Sequence, residues 1–165
     1  MPEQVIVRGP GEGRALLVGG GDVVTYKVRS GETSGAYFCF EVSTTPGFGP
    51  PLHEHAYREL FYVLEGEYEF TFQRGDDLET ITGGAGTSLA IPPNVRHTFR
   101  NTSDRAARLL FVHQPAELEG FFEEFGTPLP HAGEVPAEVA PPDFGAMAAA
   151  LERNGVRVVE PKPVG

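Results

Sequence analysis

Residues 47–66 read GFGPPLHEHAYRELFYVLEG and contain the side chains from which the chemistry of this chain is inferred. His53 and His55 are two positions apart, so both imidazoles project from the same face of an extended strand. Glu59 follows after a short turn, opens the next strand and can direct its carboxylate to the same point. The stretch therefore predicts one shared site built on two neighbouring strands.

Residues 86–101, GTSLAIPPNVRHTFRN, supply a further candidate for that site. The sequence Pro92-Pro93-Asn94 predicts a turn, and His97 stands near the start of the strand that follows it. Three imidazoles and one carboxylate on neighbouring strands form a mixed nitrogen and oxygen donor set. Such a set suits one divalent transition metal, which can be Fe, Mn, Ni, Co, Cu or Zn.

The two stretches resemble the two motifs of the cupin superfamily. The first motif is Gly, five residues, His-x-His, three or four residues, Glu, six residues, Gly, and it is matched by Gly47, His53, His55, Glu59 and Gly66. The second is Gly, five residues, Pro-x-Gly, two residues, His, three residues, Asn, and it is matched by Gly86, Pro92, His97 and Asn101. Asn94 replaces the usual glycine, and asparagine tolerates the left-handed backbone better than most residues.

This resemblance covers residues 20–115 and implies an all-β fold, the cupin jelly-roll β-barrel or double-stranded β-helix. It further implies that a metal binds inside the barrel, with positions left open for water, substrate or O₂. As in the family, the implied metal ligands are His53, His55, Glu59 and His97.

The chain around the motifs alternates between short strands and turns rich in glycine and proline. One predicted strand, Glu59–Glu65, is apolar on both faces, so its outer face needs a cover, either a terminal segment or a second subunit. Because cupins commonly pair through their sheets, we expect a homodimer. The predicted strands are Asp22–Val28, Ala36–Thr44, Glu59–Glu65, Glu67–Gln73, Leu78–Thr82, Thr87–Ile91, Arg96–Arg100 and Arg105–Val112.

After Pro115 the apolar spacing changes to that of a helix. One amphipathic helix is predicted to end at Gly126, and Asp143 is predicted to cap a second one. Between them, residues 126–142 contain five prolines and are predicted to form an extended tether. We therefore expect a barrel over residues 1–115, and a helical, proline-rich extension over residues 116–165 that packs on it.

The composition argues against several classes of partner. The chain contains 13 Lys plus Arg and 23 Asp plus Glu, so its net charge is −10. A protein with this charge is unsuited to bind nucleic-acid phosphates or anionic membrane surfaces. The single Cys39 cannot form an internal disulfide. Neither a secretory signal nor an apolar run near the roughly 20 residues of a membrane span is evident. We expect a cytoplasmic protein without nucleic-acid or membrane partners.

The single barrel and its acidic aromatic helix resemble bacterial one-domain cupins of the quercetin 2,3-dioxygenase-like type. This resemblance implies a metal-dependent dioxygenase that acts on a flavonol-like or enolisable aromatic small molecule with O₂. Glu59 would then be both metal ligand and catalytic general base. Aromatic side chains are candidates for the substrate pocket, although aromatic residues on strands are also typical of a plain core. The pocket candidates are Phe61, Tyr68, Phe70, Phe99 and Phe111.

Two alternatives remain open at this point. Another metal-cupin enzyme, a decarboxylase, isomerase or lyase acting on a small carboxylate, would need an inward arginine such as Arg58, Arg100 or Arg108. A non-enzymatic cupin would bind a small molecule within a closed metal shell. The roles of two residues also stay open: Tyr57 either orients substrate or faces solvent, and His113 either supports the site or caps a strand.

Overall fold

The computed structural model describes residues 2–159, which fold mainly into β-strands. Ten strands precede the first α-helix and two more follow it, and a short 3-10 helix, Ser30–Thr33, lies between the second and third strands. In chain order they are β1 Ala15–Val18, β2 Asp22–Val28, β3 Phe38–Thr44, β4 His53–His55, β5 Arg58–Glu65, β6 Glu67–Arg74, β7 Asp77–Gly84, β8 Ser88–Ile91, β9 His97–Asn101, β10 Ala107–Gln114, β11 Thr127–Leu129 and β12 Val156–Val158.

The strands form two antiparallel sheets. Seven strands follow the order β11-β1-β2-β3-β10-β5-β8, and five follow the order β12-β4-β9-β6-β7. The inward side chains of both sheets make one core in which Tyr26, Phe38, Phe40 and Phe70 are fully buried. The predicted all-β jelly-roll fold is confirmed, and each of the eight predicted strands overlaps an observed one.

Strand β5 shows how the sequence pattern sets the facing of side chains. Glu59, Phe61 and Val63 are buried on the inner face, as alternation along a strand requires. Leu60 and Tyr62 point outward and remain 40% and 41% exposed. Within residues 2–159, the outer face of β5 therefore lacks the cover that its apolar sequence calls for.

Two turn positions of the motifs have a backbone that explains their residue type. Gly66 has a φ of 85°, and a Cβ there would lie 2.5 Å from the Cβ of Ala107. Asn94 has a φ of 61°, which confirms the prediction that asparagine supports the left-handed turn. The Asn94 N–H donates to the carbonyl of His55 at 2.7 Å, so this turn lies against a strand of the site.

The C-terminal extension contributes more than packed helices. Part of the predicted tether forms β11, which pairs with β1, and β12 pairs with β4. The structure therefore places short strands from the segment after residue 115 in both sheets. Sequence reasoning missed β1, β11 and β12 because strands of three or four residues are too short to show an alternating pattern.

Both predicted helices are confirmed. Helix α1, Glu119–Phe125, ends at Gly126, and helix α2, Phe144–Arg153, begins after Asp143. The Asp143 carboxylate accepts a hydrogen bond from the Ala146 N–H at 2.9 Å, which is the expected N-cap contact. No helix of the described part of the chain has the length and apolar character needed to cross a lipid bilayer.

Candidate metal centre and its cavity

The structure brings the four predicted ligand side chains together. His53 and His97 are cross-strand neighbours on β4 and β9, while His55 and Glu59 lie on β4 and β5. One potential ligand atom from each residue lies within 4.8 Å of the others, and all four side chains are buried. Strand pairing therefore produces the convergence that the spacing of the two motifs predicted.

The three imidazoles share one tautomer, which their backbone contacts impose. Each Nδ1 lies at hydrogen-bond distance from a backbone carbonyl two residues away. A carbonyl oxygen can only accept, so each Nδ1 carries a proton, and the neutral form of each ring has its lone pair on Nε2, where a metal can bind it. These contacts join His53 to Pro51 at 2.8 Å, His55 to Tyr57 at 3.0 Å, and His97 to Val95 at 2.8 Å.

The inward-facing atoms fit a cation. Glu59 Oε2 lies 3.0 Å from Nε2 of His55 and 2.8 Å from Nε2 of His97, so three potential ligand atoms lie close together. Opposite ligands of an ion with bonds of about 2.1 Å are about 4.2 Å apart, close to the observed spread. Nδ1–H bonds to backbone groups are also the usual outer support of metal-binding histidines. The cluster therefore suits a divalent metal, and its donors do not choose among the six candidates.

The protonation states of the cluster favour ligation. Burial lowers the pKa of His53 to about 3, and the neighbouring His97 acts in the same direction, so His53 is neutral near pH 7. Burial by itself would raise the pKa of Glu59, but the charge and hydrogen bond of His113 outweigh it. The pKa of Glu59 is therefore held well below its usual value, and the side chain is a carboxylate.

His113 is the residue whose role the sequence left open, and it contacts the site. It is fully buried, its Nδ1 lies 3.0 Å from the Glu117 carbonyl, and its Nε2 lies 2.7 Å from Glu59 Oε1. The ring of His113 thus links the Glu59 carboxylate to the backbone carbonyl of Glu117 through its two nitrogens. The sequence indicated that His113 faces inward, because it alternates with Phe111 along the strand. It did not indicate that His113 lies opposite Glu59, because that pairing depends on the register between β10 and β5.

A cavity of about 130 Å³ opens beside the cluster, between the sheets and the two helices. His53, His55 and Glu59 lie on its wall, and most of the remaining lining is apolar. The C-terminal extension supplies part of that wall through Met147 and Leu151 of α2. The cavity is close in size to an engineered cavity of about 150 Å³ that binds benzene, so it holds one aromatic ring.

The predicted pocket residues divide into two groups. Phe99 and Phe111 lie on the cavity wall, so their assignment to a substrate pocket stays a prediction. Phe61, Tyr68 and Phe70 are buried in the core and do not line this cavity. Phe61 still packs near the cluster, with its ring centre 5.9 Å from that of His97.

The three candidate arginines lie away from the cluster. Arg58 is exposed, Arg100 pairs with Glu69 at 3.0 Å, and Arg108 pairs with Glu41 at 3.1 Å on the protein surface. Among residues 2–159, the cavity wall includes neither arginine nor lysine. The inward cation expected for binding a small carboxylate is therefore missing from the described wall.

Asp22 is a second carboxyl group on the cavity wall, and one of its oxygens accepts hydrogen bonds from Thr45. Burial raises the pKa of Asp22 to about 6, although the bonds from Thr45 act in the opposite direction. A pKa that is higher in the folded than in the unfolded chain stabilises the fold at low pH. This contribution is lost as the pH rises from about 4 to about 6.

Asp22→Asn is therefore expected to raise the free energy of unfolding at pH 8 by about 2 kcal/mol and to change it little at pH 4. The amide keeps an oxygen acceptor for Thr45 and removes the buried charge. Urea unfolding at both pH values measures the effect, with the exposed Asp104→Asn as the matched control. An equal effect of Asp22→Asn at both pH values would contradict the interpretation.

Part of the chain is similar in sequence to known proteins. Residues 40–113, somewhat less than half of the chain, match the family model described as "Cupin domain". Polyketide synthase CurC of Streptomyces cyaneus is 39% identical over 99 residues, which cover 58% of this chain and 60% of CurC. Protein SchB of Streptomyces halstedii is 39% identical over 97 residues, covering 56% of this chain and 64% of SchB. The matched stretch thus spans less than two thirds of either curated relative.

Solved structures extend the comparison to the architecture. A RmlC-like cupin from Shewanella frigidimarina NCIMB 400 matches with a TM-score of 0.53 at 20% sequence identity. The match covers 70% of this chain and 96% of that one. At this identity the likeness concerns the fold alone. The paired sheets are those of the cupin jelly roll, and residues 40–113, which hold all four clustered side chains, match the cupin domain.

Proposed function

We propose that this chain is a cupin enzyme in which His53, His55, Glu59 and His97 hold one divalent metal. Its substrate is an enolisable aromatic carbonyl compound bound in the adjoining cavity. The observation that carries the proposal is the convergence of one potential ligand atom from each of these four residues beside a mainly apolar cavity, whose wall includes His53, His55 and Glu59. Apolar walls with a few convergent polar groups are typical of small-molecule sites.

Each of the lining residues has a separate role in the proposed reaction. When bound, a divalent metal supplies Lewis-acid stabilisation of the negative charge on an enolate oxygen. Phe99 and Phe111 orient the ring of the substrate, and the buried setting excludes bulk water. Glu59 is the proposed general base, because its Oε2 is directed into the cluster while Oε1 is held by His113.

Dioxygenation is the first proposed reaction. It follows from the resemblance to quercetin 2,3-dioxygenase-like cupins, in which the substrate is a flavonol and the co-substrate is O₂. The cavity accommodates one ring, so the other rings of a flavonol would extend past α2 or displace it outward. The aromatic lining and the lack of a cation on the described wall agree with a flat and largely apolar substrate.

A polyketide substrate is a second candidate, which the name of one relative favours. CurC, 39% identical over the matched stretch, is called a polyketide synthase. Polyketide chains carry several carbonyl groups separated by acidic CH₂ groups, so they form enolates readily. Glu59 would then remove a proton from one CH₂ group, the resulting carbanion would form a C–C bond to a second carbonyl carbon of the same chain, and the alkoxide oxygen would take up the proton. This ring closure consumes no O₂.

The small-carboxylate alternative is less consistent with the site. A substrate such as oxalate is small and doubly charged, and it requires a cationic side chain to balance its carboxylates. The described cavity wall is mainly aromatic and aliphatic and adds a carboxyl group, Asp22. Both features disfavour an anionic substrate without an apolar part.

The test uses protein of measured metal content, loaded separately with Fe(II), Mn(II), Co(II), Ni(II), Cu(II) or Zn(II). A flavonol, a linear 2,4,6-trione and oxalate are each supplied in air and under nitrogen. Flavonol loss with matching O₂ uptake supports dioxygenation, while oxygen-independent loss of the trione supports ring closure. Turnover of oxalate alone would overturn the proposal in favour of the small-carboxylate enzyme. Binding without turnover in every metal form would favour the non-enzymatic cupin.

We also propose that the chain forms a homodimer through the outer face of β5. Leu60 and Tyr62 are exposed there and lie beside Leu110 and Val112 of β10, so they form a continuous apolar surface. Exposed apolar patches of this kind are typical of protein interfaces.

Tyr62→Glu is expected to convert a dimer to a monomer, because a charge placed in an apolar interface loses its hydration. Analytical ultracentrifugation at micromolar concentration measures the mass, and Leu78→Glu, on the outer surface of the other sheet, is the control. A monomeric wild-type protein, or a Tyr62→Glu variant that remains dimeric, would contradict the proposed interface.

A further inference from the structure

Tyr57 has a buried hydroxyl group that the site described above does not use. The residue is 5% exposed, and within residues 2–159 its hydroxyl has no hydrogen-bond partner. Buried hydroxyl groups are rarely left unpaired, because the loss of hydration is then uncompensated. The described part of the chain has one other such group, the hydroxyl of Tyr26, and Tyr26 does not line the cavity. Tyr57 does line it.

The ring of Tyr57 is held firmly in place. It stacks on the His55 ring with a centroid distance of 3.7 Å and an interplanar angle of 3°. The Tyr57 backbone carbonyl accepts the Nδ1–H bond of the same histidine, and the ring centre lies 4.8 Å from that of His113. The hydroxyl is therefore fixed by packing and is not free to rotate outward to solvent.

The lining of the cavity offers this group a distinct role. Besides the side chains of the metal cluster and Asp22, Tyr57 has the one polar side chain on the described wall. Asp22 as a carboxylate can only accept hydrogen bonds, and the lone pairs of the clustered histidines face the proposed cation. A ligand oxygen that is not on the metal would thus find its side-chain donor at Tyr57.

We infer that the Tyr57 hydroxyl donates a hydrogen bond to an oxygen of the bound substrate. This inference rests on the proposed function and narrows its substrate class. The substrate carries two oxygen acceptors, one for the metal cluster and one for Tyr57, on a flat and largely apolar body. Enolised 1,3-dicarbonyl compounds and hydroxy-ketones of aromatic rings meet this description.

The test compares Tyr57→Phe with wild type, because phenylalanine keeps the stacked ring and removes the hydroxyl alone. Both proteins are loaded with Co(II), and the visible absorbance of the metal reports the binding of acetylacetone, an enolisable 1,3-diketone. Loss of a hydrogen bond to a charged acceptor is expected to weaken binding about 10-fold to 100-fold. Tyr37→Phe, which changes an exposed tyrosine in the same way, is the matched control and is expected to bind as wild type does.

A second measurement separates this role from a structural one. Removing an unpaired buried hydroxyl is expected to raise the unfolding temperature of metal-free Tyr57→Phe by about 2 °C or more. Weaker binding together with a higher unfolding temperature supports the inference. Unchanged binding of acetylacetone, or a fall in unfolding temperature, would overturn it. If acetylacetone fails to bind wild-type protein in any metal form, the proposed function itself fails, and this inference with it.

Discussion

His97→Ala is expected to reduce the affinity for divalent metal by at least 1,000-fold. Loss of an outer hydrogen-bond partner of a metal ligand already costs about 10-fold to 100-fold, and loss of a ligand costs more. Besides its Nε2 atom, His97 provides a fixed ring orientation, because its Nδ1–H bond to the Val95 carbonyl holds the ring in place. Its position opposite His53 across β4 and β9 also means that no other imidazole of the cluster can take its place.

Competition with a chromophoric chelator measures the affinity, with Co(II) or Zn(II) as the metal. The matched control is His131→Ala, which removes an exposed histidine that pairs with Glu134 at 3.0 Å. The control is expected to keep wild-type affinity and one metal per chain. If His97→Ala retained metal with wild-type affinity, the four-residue centre would be wrong, and the proposed chemistry would lose its basis.

His113→Leu is expected to produce the second large effect, although this residue is not one of the four proposed ligands. The change removes the hydrogen bond to Glu59 Oε1 and leaves a buried carboxylate oxygen without its donor. Breaking a buried charge pair on one side typically destabilises a protein by about 3–5 kcal/mol. For a chain of this length, a loss of about 3 kcal/mol lowers the unfolding temperature by about 10 °C. Metal affinity is expected to fall about 10-fold to 100-fold, because Glu59 is no longer held in one orientation.

His113→Gln provides the matched comparison, because its side-chain amide can still donate to Glu59. We expect it to recover part of the stability and part of the metal affinity that His113→Leu loses. Thermal unfolding of the metal-free protein and chelator competition measure the two quantities separately. Equal losses in the leucine and glutamine variants would show that the shape of His113 matters and its hydrogen bond does not.

The jelly-roll fold and the set of four clustered side chains were predicted from the resemblance to the two cupin motifs. Part of that prediction also has a local physical basis, because alternation along a strand places His53 and His55 on one face and Glu59 follows shortly along the chain. The turn at Asn94 was predictable as well, because the backbone preference of asparagine is a property of the residue itself.

The features that the sequence did not reveal depend on contacts between distant segments. The pairing of His113 with Glu59 depends on the register between β10 and β5, which contains a bulge between Arg108 and Leu109. Which aromatic residues line the cavity also depends on contacts between distant segments. Phe70 and Phe99 both face inward along their strands, but only Phe99 lies on the cavity wall. Tyr57 lies in a turn, where exposure is the usual expectation, and stacking on His55 is what buries it.

The pairing of β12 with β4 has a practical consequence for anyone who handles this protein. Val156 lies opposite His55 and Val158 opposite His53, so the last described strand borders the strand that carries two of the clustered imidazoles. A shortened gene or a protease cut before residue 156 would make β4 an unprotected edge. The intact mass of the purified protein therefore shows whether β12 is still present beside β4.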